Sequence, residues 1–433
     1  MPTIARVASA VLISSAFLIA QTRPDLTAAS SALSEFQRIC REAGERLWGV
    51  SLCGRLLLVD PRTRTTLATI PDPDRGFEER DGLFVGTLPT DLQVSNTSVQ
   101  WGNEEWAMVS LPLPTDEFVR LRLLFHESFH RLQPALGLRA SDAASAHLET
   151  ESGRLWLRLE LRALSQALRL DGEGARVATK DALLFRAVRQ RLNVGAESRE
   201  SALEIQEGLA EYTGTVITLE RSGETLARVA RATENFEDQP AFARSFAYAT
   251  GPALGLLLDR YAGVSWRKNL KRDSNLALLL GQALGFHDGE DLMSNAVSRA
   301  NTYGYRAVAA DEHSRAVRTQ ALLAGFRARF VEGPVLEFPK TVELRRTFNP
   351  NNLVPLGEIG TVYPTGTFVS RWGKLQIDDV GGLLSPDNQS LRVSAPTDPQ
   401  ARPLVGPGWR LELAPGWTIR PGPVKGNFVV SPE

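Results

Sequence analysis

Histidine, cysteine and methionine are all scarce, with five, two and three copies in 433 residues. Neither cysteine, Cys40 nor Cys53, belongs to a CxxC pair, which argues against a cysteine metal site or redox motif. In an exported chain the two could close one short loop as a disulfide. They could equally be separate buried thiols, because sequence carries no distance between them. An excess of one charge sign is missing too. There are 49 Lys plus Arg and 50 Asp plus Glu, a formal net charge of −1. That balance excludes bulk attraction for nucleic acid, and the short basic stretch "WRKNLKRD" from Trp266 to Asp273 reads as a solvated loop. Beyond residue 20 no run is long and apolar enough to span a bilayer. There is no repeat of fixed period and no low-complexity tail.

What is present is a globular composition, 43% hydrophobic and 23% charged, in a chain long enough for two or three structural units. Residues 1–20 differ from the rest. A single positive charge at Arg6 precedes an uncharged, mostly apolar stretch from Val7 to Ala20, the charge–apolar–polar order of a secretory signal. Cleavage is expected after Ala20, with Ala16 as the alternative and an uncleaved N-terminal anchor as the competing reading. The expected location is therefore secreted or periplasmic, with no stable membrane span once the signal is removed.

The remaining texture predicts an α+β chain in three parts. Residues 21–114 hold a helix at 26–48 and then short apolar runs, "RLLLVD", "GLFVGTL" and "EEWAMVSL". Turn clusters separate these runs, so they read as strands of one small sheet. Residues 115–333 read as mainly helical. The segment "PTDEFVRLRLLFHESFHRLQP" has Thr115 as an N-cap candidate, Asp116 and Glu117 in the first turn, and Pro134 as its stop. "RLWLRLELRALSQAL" alternates like a strand at Leu155, Leu157, Leu159 and Leu161, but it lacks β-branched residues, Gly and Pro, and reads as a helix. Further helices are expected at 181–192, 198–218, 240–261 and 313–330. Residues 334–433 read as a small β module punctuated by Gly and Pro. Its Trp372, Trp409 and Trp417 are better explained by core packing than by a ligand platform.

The chemistry concentrates in "FHESFHRLQP". On a helix, residues i and i+4 share a face, so His126 and His130 can converge on one ion. Neutral imidazole nitrogen is a preferred zinc ligand. Glu127 follows the first histidine directly, and its carboxylate can take a proton from water on the metal. This HExxH pattern on a helix points to zinc. A catalytic zinc needs a third protein ligand. The pattern HExxHxxGxxH fails, since Gln133 replaces its glycine and Leu136 its last histidine. His147 is the next histidine, but nothing around it fits a ligand spacing; Glu149 and Glu151 near it are rival sources of the third ligand, though a charged helix face explains them better. His287 and His313 have no ligand spacing and read as solvated.

Downstream, "EIQEGLAEYTG" resembles the second motif helix of the gluzincin metallopeptidases, especially the aminopeptidase N-like branch. The resemblance covers three short segments within 115–261. It implies Glu207 as the third zinc ligand, with Gly208 and Ala210 letting this helix approach the HExxH helix. By likeness to thermolysin-like relatives, Glu211 orients a ligand histidine from behind. "FAYATGPALG" is similar to the branch's tyrosine helix, which implies that Tyr248 donates a hydrogen bond to the oxyanion, with Tyr212 as the fallback. The branch's amine-gripping G-x-M-E-N strand is absent. "WGNEEWAMVS" stands in its place, where Glu104 or Glu105 could serve as an amine anchor or simply face solvent. The separation of His130 from Glu207 is longer than in the aminopeptidases and requires a helical insertion. The resemblance implies a zinc-dependent metallopeptidase acting on peptide or protein substrates. A zinc hydrolase of a non-peptide amide or ester, and a non-catalytic envelope binding protein that retains the fold, are the alternatives.

Overall fold

A computed structural model describes residues 26–141, 144–341, 343–349 and 352–433. The expected signal lies outside the described residues. The fold is α+β. Contacts divide the chain into two compact units after Ala309.

The first unit opens with α1 (Leu26–Ala43), which ends at Gly44, a residue with positive φ. Six strands follow: β1 (Leu56–Val59), β2 (Thr65–Ala68), β3 (Glu78–Arg80), β4 (Leu83–Thr87), β5 (Thr97–Trp101) and β6 (Glu104–Ser110). They form one sheet in the order β3-β4-β2-β1-β6-β5, antiparallel except for the parallel β1–β6 pair. The apolar run of β1 serves both faces. Leu56 and Leu58 pack with Phe36 and Phe125 in the main core, while Leu57 and Val59 pack with Trp106 and Met108 on the other side. This is the period-two alternation of a strand covered on both faces.

Helices fill the rest of the unit: α2 (Glu117–Leu132), α3 (Glu151–Arg169), α4 (Gly172–Leu192), α5 (Ala196–Leu203), α6 (Leu209–Ser222), α7 (Leu226–Asn235), α8 (Ala247–Tyr261), α9 (Leu276–Leu284) and α10 (Leu292–Ala300). The N-cap of α2 is Asp116 rather than Thr115; its carboxylate accepts from the Val119 amide at 2.9 Å. The ambiguous leucine run is α3. Leu157, Leu159 and Leu161 are all buried because neighbours surround the helix on most sides, which hides its 3.6-residue period. α4 begins well before 181, because packing against α3 outweighs the propensity cost of Gly172 and Gly174. The short helices α7, α9 and α10 were not expected from the pattern.

Cys40 and Cys53 form a disulfide, with Cα atoms 5.3 Å apart. It ties the end of α1 to the loop before β1. Arg131 on α2 donates to the Leu52 and Cys53 carbonyls at 3.2 and 3.1 Å, holding the same loop.

The division after Ala309 falls inside α11 (Tyr305–Arg327). The second unit then carries β7 (Val335–Glu337), β8 (Arg345–Phe348), β9 (Val354–Pro355), β10 (Thr361–Tyr363), β11 (Gly366–Ser370), β12 (Gly373–Ile377), β13 (Gly382–Leu384), β14 (Leu391–Ser394), β15 (Leu404–Gly406), β16 (Trp409–Leu413), β17 (Trp417–Pro421) and β18 (Phe428–Pro432). They make two sheets, β17-β18-β7-β14-β13-β10-β9 and β15-β16-β12-β11-β8. Residues of both sheets share one core around Phe338, Phe368, Trp372, Leu375, Val393 and Trp409, the arrangement of a β-sandwich. Trp372 and Trp409 are buried in that core and Trp417 packs against it.

Candidate metal centre

Three elements deliver the site. α2 carries His126, Glu127 and His130 on its inner face. One wide π-helical turn, Glu204–Gly208, presents Glu207, and α6 continues from it with Glu211. α8 contributes Tyr248 near its start. These helices approach closely because glycines face each other. A Cβ on Gly251 of α8 would fall 2.2 Å from the Gly208 Cα, and a Cβ on Gly214 of α6 would fall 2.3 Å from the Arg122 carbonyl of α2. Gly208 therefore admits α8, and the close contact with α2 is made at Gly214 instead. Gly208 had been expected to face α2. It lies six residues earlier, on a wide turn, and faces elsewhere.

The structure brings His126, His130 and Glu207 together as one potential metal-holding group. The two Nε2 atoms are 3.0 Å apart, and Glu207 Oε2 lies 3.5 and 3.3 Å from them. Ligand atoms at about 2.0–2.1 Å from a tetrahedral zinc are roughly 3.3 Å from each other, so the spacing fits. The outer nitrogens are already committed. His126 Nδ1 donates to Glu211 Oε2 at 2.8 Å, and His130 Nδ1 donates to Gln133 Oε1 at 2.7 Å. These partners select the tautomer that leaves both Nε2 lone pairs facing the common point. Three acceptors then converge, an arrangement that calls for a cation or a proton.

Gln133 was read in the sequence only as the residue that breaks a third-histidine pattern. Its amide nitrogen donates to the Ile205 and Gln206 carbonyls at 3.0 and 2.8 Å. It thus binds His130 to the same turn that offers Glu207. The i+3 spacing from His130 was the available signal. Arg122, one turn before His126, was also passed over; it pairs with Glu211.

Burial dominates the electrostatics. His126 is pushed down to about 4, chiefly by desolvation, with Glu207 opposing. Desolvation also disfavours charge on His130, but Glu207, Glu127 and Gln133 outweigh it and raise its pKa. For Glu207, the two histidines beside it outweigh burial and hold the carboxyl far below its usual range. Glu127 is 4% exposed and one of its oxygens has no partner. Burial first, and the charge of Glu207 after it, raise its pKa to about 7 against the pull of His130. The Tyr248 ring stacks on His126 at 5.5 Å and 6° between planes, and its hydroxyl donates to Glu207 Oε2 at 2.7 Å. Burial and Glu207 raise its pKa, so it stays a protonated donor.

Tyr212 lies elsewhere, with its hydroxyl donating to Asp259 at 2.6 Å in the core. Glu104 pairs with Arg55 at 2.8 Å. Glu105 accepts from Ser98 Oγ at 2.8 Å and lies 3.7 Å from Arg139. His147 is buried against Glu200 at 2.7 Å, and His287 and His313 are exposed. Glu149 is no solvated helix face: its carboxylate accepts from the Phe242 and Ala243 amides, fixing the approach to α8.

Behind the turn that carries Glu207 lies a buried ionic network that the sequence did not reveal. Arg186 forks onto Glu204 at 2.8 and 2.6 Å and reaches Glu160 at 2.8 Å. Arg189 forks onto Glu200 at 2.8 and 2.9 Å and reaches the other Glu160 oxygen at 2.6 Å. Thr250 of α8 donates to Glu204 at 2.6 Å. Glu204 sits on the π-helical turn, so these bonds anchor the segment that carries Glu207. Forked guanidinium–carboxylate pairs fix orientation as well as charge. Compared with known protein families, curated proteins and solved structures, the chain matches none.

Proposed function

We propose that the chain is a zinc-dependent metallopeptidase of the gluzincin type. The observation that carries this reading is the convergence of three acceptors at 3.0–3.5 Å, each histidine oriented from behind, with a buried carboxylate beside them, one oxygen of which has no partner. His126, His130 and Glu207 would hold the metal, which when bound supplies Lewis acidity to a carbonyl and to water. Glu127 takes the proton of the attacking water and returns it to the leaving amine. Its buried setting keeps the carboxylate a stronger base than an exposed one. Tyr248, protonated at all working pH values, donates a hydrogen bond to the developing oxyanion. Glu211 and Gln133 keep the histidine rings aimed.

A peptide substrate is favoured by what borders the site. A cavity of about 370 Å³ over the histidines is lined in part by Asn96, Thr97 and Ser98. Thr97 and Ser98 belong to β5, one of the two edge strands of its sheet, whose outer backbone groups can pair with an extended chain. Glu104 and Glu105 already have arginine neighbours, so neither stands ready as an amine anchor. Among the described residues the converging His, Cys, Asp and Glu side chains are three, not the four of a closed structural site. A secreted or periplasmic location is supported by the Cys40–Cys53 disulfide. No described helix is long and apolar enough to cross a membrane.

The test is paired. Glu127→Gln should retain about one zinc per chain and lose cleavage of a mixed peptide library. If that variant cleaves as well as the parent, the proposed chemistry is wrong.

A further inference from the structure

The long connection between His130 and Glu207 does more than bring the chain back to the metal centre. Within the first unit, α4 and α5 form one wall and α9 the other wall of a second cavity, of about 1400 Å³. That exceeds the roughly 300–1,000 Å³ of a small-molecule site. Two polar bridges hold the walls in register. Arg191 of α4 pairs with Asp288 at 2.8 Å, and the Asn275 amide donates to Glu197 of α5 at 3.0 Å. The lining mixes apolar residues, among them Leu183, Phe286 and the 55% exposed Leu278, with polar ones such as Gln190, Ser201 and Gln282.

The cavity adjoins the metal centre. Arg139, Ala140 and Ser141 line both it and the smaller cavity over His126 and His130. Its charged lining mixes signs, with Arg139, Arg191 and Arg272 against Glu197, Asp273 and Asp288, and with Arg186 already held by Glu160 and Glu204, so it offers no concentrated field for a small anion or cation. A large groove of mixed apolar and polar lining suits a stretch of polypeptide, whose side chains vary while its backbone does not.

We infer that this groove holds the substrate chain beyond the scissile bond, making the protein an endopeptidase of extended, unfolded polypeptides. The identity of the occupant rests on the metallopeptidase reading. The groove itself can be tested without turnover. With zinc-loaded Glu127→Gln, fluorescence anisotropy should show a labelled degenerate 16-residue peptide pool binding at least tenfold more tightly than a 4-residue pool. Leu278→Asp, on an exposed position, and Ala202→Trp, which narrows the groove, should each abolish most of that difference. In the active protein the same two substitutions should lower the ratio of kcat/KM for 16-residue over 4-residue substrates about tenfold, as loss of one apolar contact does. Equal binding of the two pools, or a ratio that neither substitution moves, overturns the groove. Length-dependent binding without any cleavage by the parent would instead overturn the peptidase reading and leave the groove standing.

Discussion

His126 and His130 sit four residues apart on one helix, yet their pKa values move in opposite directions: burial is first for both and Glu207 raises both, but His130 and Arg122 push His126 down further while Glu127 and Gln133 lift His130. That i, i+4 pair and Glu127 were legible in the sequence, since helical spacing alone puts them together. Glu207 was legible only through its resemblance to a known motif. Gln133 could have been read from its spacing but was not, because its role depends on carbonyls 72 and 73 residues away. Gln133→Leu should leave the fold intact and weaken zinc binding by roughly 10–100-fold, as loss of an outer partner does; competition with a chelator measures it. Glu127 gives a second expectation. Its pKa is raised from 4.5 to about 7 in the metal-free site, chiefly by burial. A raised folded pKa means that stability is complete below the unfolded value and is lost as pH rises through the folded one. Removing the charge should therefore stabilise the metal-free protein, by at most about 3 kcal/mol, above pH 7 and not at pH 4. Thermal melts of metal-free parent and Glu127→Gln at the two pH values check this. An equal shift at both would contradict the burial argument.

At the scale of elements, most of the helices and three of the six strands of the N-terminal sheet, β1, β4 and β6, could be read from apolar runs, turn residues and caps. What escaped were features set by tertiary packing. α4 extends through two glycines because α3 covers it, and the short helices α7, α9 and α10 carry too few turns for a clear period. The π-helical turn at Glu204–Gly208 has no sequence mark of its own. It is held from outside by Arg186, Thr250 and Gln133. Such wide turns gather at functional sites, where they redirect a side chain. Arg186→Met would remove the guanidinium forked onto buried Glu204 and leave Glu160 with Arg189. Breaking one side of a buried pair typically costs about 3–5 kcal/mol. Urea denaturation should show a loss of that order, and the zinc affinity of the folded variant should fall with it. If stability drops but zinc affinity holds, the network supports the fold without aiming Glu207.

For the whole molecule, the sequence anticipated an α+β chain ending in a β module, and the second unit is a sandwich with Trp372 and Trp409 at its centre. The pairing of Cys40 with Cys53 was open, because their separation of 13 residues is compatible with a disulfide or with two thiols. In the fold the bridge and Arg131 brace one loop from two sides, beside the helix that bears both histidines. Closing a loop of this length stabilises by about 3 kcal/mol in the chain-entropy account. The double variant Cys40→Ser, Cys53→Ser should lose a comparable amount in chemical denaturation, and zinc binding at low temperature should persist. Loss of zinc under folded conditions would show that the bridge shapes the site directly.

The central claim is that three side chains from two segments far apart in sequence hold one metal ion. Crystals of the zinc-loaded protein, with diffraction recorded on both sides of the zinc absorption edge, address it most directly. The expected result is a single anomalous peak about 2.0–2.2 Å from His126 Nε2, His130 Nε2 and a Glu207 carboxylate oxygen, with no fourth protein ligand. No peak at that point, or a peak closed by a fourth side chain, would contradict the account.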